Sequence, residues 1–549
     1  MILMTENVQG RITLSHAVEI LSSHGLLREL IAGEVWADSL ESLGSQLGKD
    51  LSSIVFSNLT YDSRTIDSAS LLVCKGRFHS SYLDQADALG LPCYVAQEDF
   101  SSATKALGII VTDVRQALAL LSAAFYGDPA SQLKVIGITG TKGKTTTAYF
   151  THAILSAYSG GKAALLSSVD NCVDGTTFTE SNLTTPESLD LYRMMRQAVD
   201  AGMEYLVMEV SSQAYKVQRV FGLRMAVGAF INISPDHISP IEHPTFEDYF
   251  YCKRQIAANS DNLVMNATMA HASLVAEDAR AHGAGLSAFR LVQGESGSDH
   301  HEEAEDSRLA SLPTVTASPL DPDPTLGFRI SDGQGFSKNF RLSIAGDFNY
   351  ANAAAAIAIV KSLGMDLADP AIAQALEAME KVTISGRMET FSSPQGSLAV
   401  VDYAHNGVST TALLDYVDKA YGKMDPRIIL VTGSAGNKAY DRRQEIVQAA
   451  QDRIARFIFT EEDTDTEPME EICQQMDQAV TNPQVEHGIV LDRTHALEEA
   501  VRDAARHQEE GGMTVILAIG KGNERWIKHL NKHVAYEGDD KVLSRLLEA

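Results

Sequence analysis

Short apolar runs alternate along this chain with stretches in which apolar residues recur at helical spacing. From Tyr61 to about Ala130 the runs LLVCKG, GLPCYVA and LGIIVT are separated by segments such as VRQALALLSAAFYG, so a small α/β unit is expected there. LKVIGITG then reads as a buried strand from Leu133 to Ile138, and TTTAYFTHAILSAY from Thr145 reads as a helix. The runs EYLVMEV, AVGAFINI and DNLVMN alternate with helical segments to about Asn266, the pattern of a doubly wound parallel sheet. AGDFNYANAAAAIAIVKSL predicts a helix closing this unit, and after VTISGRM the runs SLAVVDYAH, RIILVTGSAG, RIARFIFT and TVILAIGKG resume the alternation. The expected division is 1–130, 131–381 and 382–549, three α/β units, with the last starting near Val382.

Composition adjusts this picture at one place. From about Gln293 to Pro324 the chain is rich in Asp, Glu, Ser and Pro, which bury little apolar surface, so an acidic solvated loop is expected inside the central unit. His300 and His301 within it read as plain polarity. The formal charge of -27, from 45 Lys and Arg against 72 Asp and Glu, argues against a protein that coats nucleic acid. Anionic ligands would have to be met by local basic pockets. Five scattered cysteines without metal spacing suggest reduced thiols. The start lacks a signal-peptide pattern, and no run of about eighteen apolar residues occurs, so a cytoplasmic protein without a membrane partner is expected. The sequence leaves the oligomeric state open, with a monomer as the default.

The chemistry begins after the strand at Leu133. Gly140, Thr141, Lys142, Gly143, Lys144, Thr145 and Thr146 stand between a strand and a helix, where backbone N–H groups and a helix N-terminus cradle phosphates. Lys144 would reach the β- and γ-phosphates of ATP and the Thr145 hydroxyl would bind Mg2+. Ile138 occupies the position where the strict phosphate-loop pattern has its first Gly, so the loop is a variant. Glu209 ends the strand YLVMEV, and Asp236 with His237 follows another, on the sheet edge where such folds bind ligands.

The ordered set GTKGKTT, LTTPES, MEVSSQAY, NISPDH, YCKRQIA, GDFNYANA, SGRME, VDYAH and GKGNE resembles the Mur ligase family over nearly the whole chain. Within it the set looks most like the UDP-N-acetylmuramoyl-tripeptide synthetases, which extend the D-glutamate of UDP-MurNAc-L-Ala-D-Glu in cell-wall precursor synthesis. The resemblance implies a UDP-sugar-binding N-terminal unit, a central ATPase unit and a C-terminal ligase unit that brings in the amino acid. It assigns Lys144, Glu209, His237 and Lys253 to catalysis, with Thr145, Glu209, His237 and Lys253 as magnesium ligands and Lys253 carbamylated. It places Asn349, Asn352, Arg387, Asp402 and His405 near ATP, and Ser63, Thr184, Thr185, Ser211 and Arg219 at the UDP-muramoyl dipeptide. Leu183, Gln213 and Val217 depart from residues common in the family.

For the incoming amino acid the resemblance offers Arg443, Gly520 and Glu524. Counting from Arg443, Glu462 to Asp465 fall on the D-N-P-R positions of synthetases that use meso-diaminopimelate, so Asp463 and Asp465 would face the substrate and Asp465 replaces the Arg that pairs with its distal carboxylate. An anion there repels a carboxylate and attracts an ammonium, so L-lysine or another diamino acid such as ornithine is expected. The reaction implied is an acyl-phosphate amide ligation. Its rivals are use of meso-diaminopimelate, a folylpolyglutamate synthase, and a noncatalytic phosphate-loop module.

Overall fold

A computed structural model describes residues 10–292 except 237, 240 and 241, together with 307–320, 327–394, 396–437 and 440–547. Near the N-terminus a six-stranded sheet runs Val35–Ala37, Leu27–Ala32, Leu107–Val111, Cys93–Ala96, Ser70–Val73 and Asn58–Thr60, the last four parallel. Three of these strands precede Tyr61, where polar residues such as Arg28 and Glu29 interrupt the apolar pattern. The 12-residue helix Val114–Phe125 covers one face, and its N-terminus is capped by the Asp113 carboxylate, which accepts from the backbone N–H of Arg115 and Gln116.

The central sheet has eleven strands. Seven run parallel in the order Ala163–Leu166, Tyr205–Glu209, Lys134–Thr139, Met225–Phe230, Ser260–Asn266, Gly285–Leu291 and Thr314–Pro319, with antiparallel pairs at both edges. Both faces are buried, as a doubly wound parallel sheet requires. Val135, Leu206 and Met208 face the core shared with the N-terminal unit, whereas Ile136, Ile138 and Val207 face the core under the helix Phe348–Ser362. Ala353 to Ala356 in that helix are fully buried, and their small side chains let it lie close on the helix Lys144–Ser159.

Residues 293–306 and 321–326 of the acidic stretch, with His300 and His301, lie outside the described residues. Between them Thr314–Pro319 is a strand rather than a solvated loop, because Val315 and Ala317 alternate inward onto the core beside Phe289. The third sheet runs Glu389–Ser392, Leu398–Asp402, Thr514–Ile519, Arg427–Thr432, Arg456–Phe459 and Glu486–Ile489, parallel apart from the first strand. A hairpin, Trp526–His529 with Lys532–Ala535, follows it.

Candidate active site

The residues of interest cluster just beyond the C-terminal ends of parallel strands, where open α/β sheets bind ligands. The strand Lys134–Thr139 runs into Gly140–Gly143, and Gly143, at φ 79°, turns the chain into the helix Lys144–Ser159. A Cβ at Gly143 would collide with the Asn352 amide, so both the dihedral and the space demand glycine. Asn352 donates in turn to Asn349 Oδ1 at 2.9 Å, which places both called asparagines under the loop. Asn232, which the motif reading did not single out, clamps the loop: its Oδ1 accepts from the N–H of Thr141 and Lys142, each at 2.9 Å, and its Nδ2 donates to Lys142 O. Lys144 Nζ donates back to the carbonyls of Gly140 and Thr141 at 2.9 and 3.2 Å. Thr146 is buried in the first helical turn.

Thr145 Oγ1 and Ser168 Oγ share a 3.1 Å hydrogen bond, and Glu209 Oε1 accepts from both the N–H and the hydroxyl of Ser168 at 2.8 and 3.1 Å. Thr145 and Glu209 are buried, and with Ser168 they form a set of hard oxygen donors of the kind magnesium takes. Lys253, 1% exposed on the helix Phe246–Arg254, donates to Gly140 O at 2.8 Å and has no carboxylate in ion-pair range among the described residues. Burial, reinforced by the nearby Lys144 charge, pushes its amine well below the usual lysine range. The neutral amine is the form that can take up carbon dioxide, and the carbamate so formed would offer oxygen donors of the kind magnesium accepts. His243 fixes this helix: its Nδ1 donates to Asp248 at 2.6 Å and its Nε2 accepts from Ser212 Oγ at 3.0 Å. His237 lies outside the described residues.

The C-terminal unit reaches the same loop. His405 Nδ1 donates to Tyr403 O at 2.7 Å, which leaves Nε2 to accept from Lys142 Nζ at 3.0 Å. Burial holds the His405 imidazole well below its usual value, with the Lys142 charge adding to that, and burial brings Lys142 down to about 8. Asp236 lies between, paired with Lys142 and with Arg442. Arg387 packs over the Tyr403 ring, 4.4 Å from its centroid, and the half-buried Asp402 accepts from the N–H of Met388 and Ala404.

On the opposite side Thr185 Oγ1 donates to the Glu209 carbonyl and accepts from Ser211 N, both at 3.0 Å. Arg219 donates to Thr185 O and pairs with Glu187 at 2.8 Å, and Glu187 also takes Lys75 from the N-terminal unit. Thr184, next to Thr185, and Ser63, in the N-terminal unit, are half-buried, Ser63 opening the turn after Tyr61, whose ring lies 3.9 Å from Lys75 Nζ.

The residues proposed for the amino acid form a third group. Tyr403 donates to Glu524 at 2.8 Å, Lys521 pairs with Asp463 and Glu524, and Glu462 lies against Gly520, whose φ of 105° and missing side chain make the room. Burial raises both Glu462 and Glu524 above the usual carboxylate range. Two assignments sit differently from expectation. Asp465 is already paired with Lys528 at 2.8 Å, so the chain compensates its charge. Arg443 is buried and bidentate on Glu467, both bonds 2.8 Å, while its neighbour Arg442 is the one that reaches Asp236, the partner of Lys142. The motif reading does not single out Lys75, Ser168, Glu187, Asn232, Arg442, Lys521 or Lys528, although Glu187, Asn232 and Lys521 stand inside the quoted LTTPES, NISPDH and GKGNE and Arg442 stands beside Arg443.

The sequence matches two family models, the Mur ligase middle domain over residues 138–360 and the Mur ligase glutamate ligase domain over 386–522. It is 54% identical over 536 residues to a UDP-N-acetylmuramyl-tripeptide synthetase of Bifidobacterium longum, covering 97% of this chain and 99% of that one. A UDP-N-acetylmuramoyl-L-alanyl-D-glutamate--L-lysine ligase of Enterococcus faecalis is 38% identical over 528 residues, 95% of this chain and 96% of its own. A solved UDP-N-acetylmuramoyl-L-alanyl-D-glutamate--2,6-diaminopimelate ligase has the same fold, with a TM-score of 0.58 at 22% identity over 90% of this chain and 95% of that one. A phosphate loop whose Lys142 is met by His405 of the C-terminal unit, and kinship that runs along almost the full length, lead to one conclusion: the chain belongs to the Mur ligase family.

Proposed function

We propose that this enzyme joins a diamino acid, L-lysine first among them, to the γ-carboxylate of D-glutamate in UDP-MurNAc-L-Ala-D-Glu, consuming ATP and releasing ADP and phosphate. The observation that carries the reading is that the phosphate loop is flanked on both sides: Arg219 and Thr185 are tied to the end of the strand that carries Glu209, while from the C-terminal unit His405 meets Lys142 and Arg442 meets Asp236, which also pairs with Lys142. A nucleotide switch has no use for that meeting, and a ligase needs it, because three substrates must be aligned.

In this reading residues 1–130 hold the UDP-sugar, 131–381 the nucleotide and 382–549 the amino acid. The loop N–H groups and Lys144 hold the ATP phosphates. Asn349 and Asn352 support the loop, and Arg387, Asp402 and His405 close over the nucleotide from the C-terminal side. The γ-carboxylate, positioned from Thr184, Thr185, Ser211, Arg219 and Ser63, attacks the γ-phosphorus, and ADP leaves. The amine then attacks the acyl phosphate, inorganic phosphate leaves, and an amide forms. Mg2+, held by Thr145, Glu209, carbamylated Lys253 and His237, would neutralise charge spread over the transferring phosphoryl oxygens.

The amino acid is assigned to Glu524, Gly520, Asp463 and Glu462, with Arg443 and Asp465 acting from behind them through Glu467 and Lys528. Lys521 is shared by Asp463 and Glu524, with Glu462 close by. That local excess of acid favours a substrate ending in an ammonium, and the Enterococcus faecalis relative is named for L-lysine. A folylpolyglutamate synthase leaves the UDP-sugar role of the N-terminal unit without use. Phosphate release is measured with UDP-MurNAc-L-Ala-D-Glu, ATP and Mg2+ plus L-lysine, L-ornithine or meso-diaminopimelate in separate reactions. Release with lysine is expected. Release with diaminopimelate alone would overturn the amino-acid assignment, and no amino-acid-dependent release would overturn the ligase.

A further inference from the structure

Two cations from different units meet on one carboxylate in the crevice between the first two sheets. Lys75 follows the strand Ser70–Val73 at the C-terminal end of the parallel part of the N-terminal sheet, where it extends over the Tyr61 ring to Glu187. Arg219 reaches the same carboxylate from the central unit through Nε at 2.9 Å and a second nitrogen at 2.8 Å. Tyr61 also spans the two units, donating to Asp190 at 3.1 Å. The side chains of Lys75, Glu187 and Arg219 are 20%, 23% and 15% exposed, so the cluster is neither sealed nor free in solvent. Against the upward push of burial, the Lys75 hydrogen bond and the Arg219 charge hold Glu187 below its usual value, so it is ionised and the cluster carries one net positive charge.

That surplus stands out in a chain whose formal charge is -27. One carboxylate cannot neutralise two cations, and their mutual repulsion is relieved when a second anion arrives. The cluster is also linked to the reaction centre, since Arg219 bonds Thr185 O while Thr185 bonds the Glu209 carbonyl.

We infer that Lys75 is a substrate-binding residue, forming with Arg219 a two-cation seat for an anionic oxygen group of the UDP-linked substrate, with Glu187 holding the two cations in register. The inference rests on the functional reading above and adds to it a residue on the N-terminal unit that decides how tightly the acceptor is held. Two sources offer that chemistry, a carboxylate of the dipeptide and the diphosphate of the nucleotide.

The test is calorimetric binding to the wild-type enzyme, Lys75→Met and Lys75→Arg in the presence of a nonhydrolysable ATP analogue and Mg2+, with steady-state kinetics alongside. UDP-MurNAc-L-Ala-D-Glu and UDP-N-acetylglucosamine, which carries the diphosphate and no carboxylate, are the ligands. A charge-assisted hydrogen bond lost at Lys75 weakens binding about ten- to hundred-fold. The expected result is that loss in Lys75→Met, as a raised KM for the UDP substrate with the KM for ATP unchanged, and its recovery in Lys75→Arg. A defect confined to the ligand that carries D-glutamate assigns the seat to a carboxylate, and one shared by both ligands assigns it to the diphosphate. A purely structural strut would instead lower thermal stability and leave the dissociation constant of the UDP substrate alone, which overturns the inference while the ligase reading stands. Failure of the wild-type enzyme to bind either ligand overturns both.

Discussion

Arg493 ties together the two loops that flank the proposed amino-acid site, and its removal from its partner has a calculable cost. It is fully buried at the start of the helix Arg493–Glu509. Its guanidinium is bidentate on Asp539 at 2.7 and 2.6 Å, and it also donates to the carbonyls of Glu461 and Ile519 at 3.1 and 2.8 Å. Those carbonyls belong to the residues just before Glu462 and Gly520. Asp539→Ala strands a guanidinium in a water-free site, a loss of about 3–5 kcal/mol, whereas Arg493→Met with Asp539→Leu removes both charges and costs far less. With a urea slope of roughly 2 kcal/mol per M, the single variant drops the unfolding midpoint of the C-terminal unit by about 1.5–2.5 M. Trp526 fluorescence reports that unit, and Trp36, the other of the two tryptophans, reports the N-terminal one. The KM for the amino acid rises, because the two loops lose their shared anchor, while the KM for the UDP substrate holds. A midpoint within about 0.3 M of wild type, or a double variant as unstable as the single one, would refute the reasoning.

Other consequences are as direct. Lys253→Met abolishes ligation with an intact fold, and intact mass spectrometry of the wild-type protein shows the added mass of one carbon dioxide. Because burial depresses the Lys253 amine, the folded chain binds its proton less readily than the unfolded chain, so this group's stability contribution grows with pH; acid treatment strips the carbamate, and bicarbonate at neutral pH restores activity. Glu187 has the carboxylate sign: its folded value lies below the unfolded one, so its contribution is present above the unfolded value of about 4.3 and lost as pH falls through the folded value, and Glu187→Gln flattens the acid limb of a stability profile. Lys528→Met removes the ammonium paired with Asp465 and, in competition assays, shifts amino-acid choice further toward diamino substrates; unchanged selectivity would place Asp465 outside the site. Gly143→Ala forces a left-handed dihedral on a side chain at a strain of about 1–2 kcal/mol and pushes against Asn352, so the KM for ATP rises several-fold.

The contrast between Arg442 and Arg443 shows what a sequence can carry. Both stand in the first turn of the helix Asp441–Ala450, about 100° apart around its axis, so they must point to different places. Motif counting selects Arg443, but Glu467, 24 positions away in sequence, has already claimed it, and Arg442 is left to cross to Asp236. The phosphate loop suffers no such ambiguity, because strand, glycine turn and helix are consecutive and each residue's role follows from its neighbours. Asp465 again shows the limit: its negative charge is legible in one letter, whereas its neutralisation by Lys528 depends on a hairpin 63 residues further on. The same holds for Lys253, whose letter is that of a surface residue and whose chemistry comes from being buried beside Gly140. Motif resemblance therefore conveys where a side chain's Cα sits more faithfully than what charge it presents, and selectivity between a diamino acid and a dicarboxylate is decided by charge. Substitutions at Lys528 and Glu467, which leave every motif letter untouched, should for that reason move substrate choice more than changes at several of the motif positions themselves.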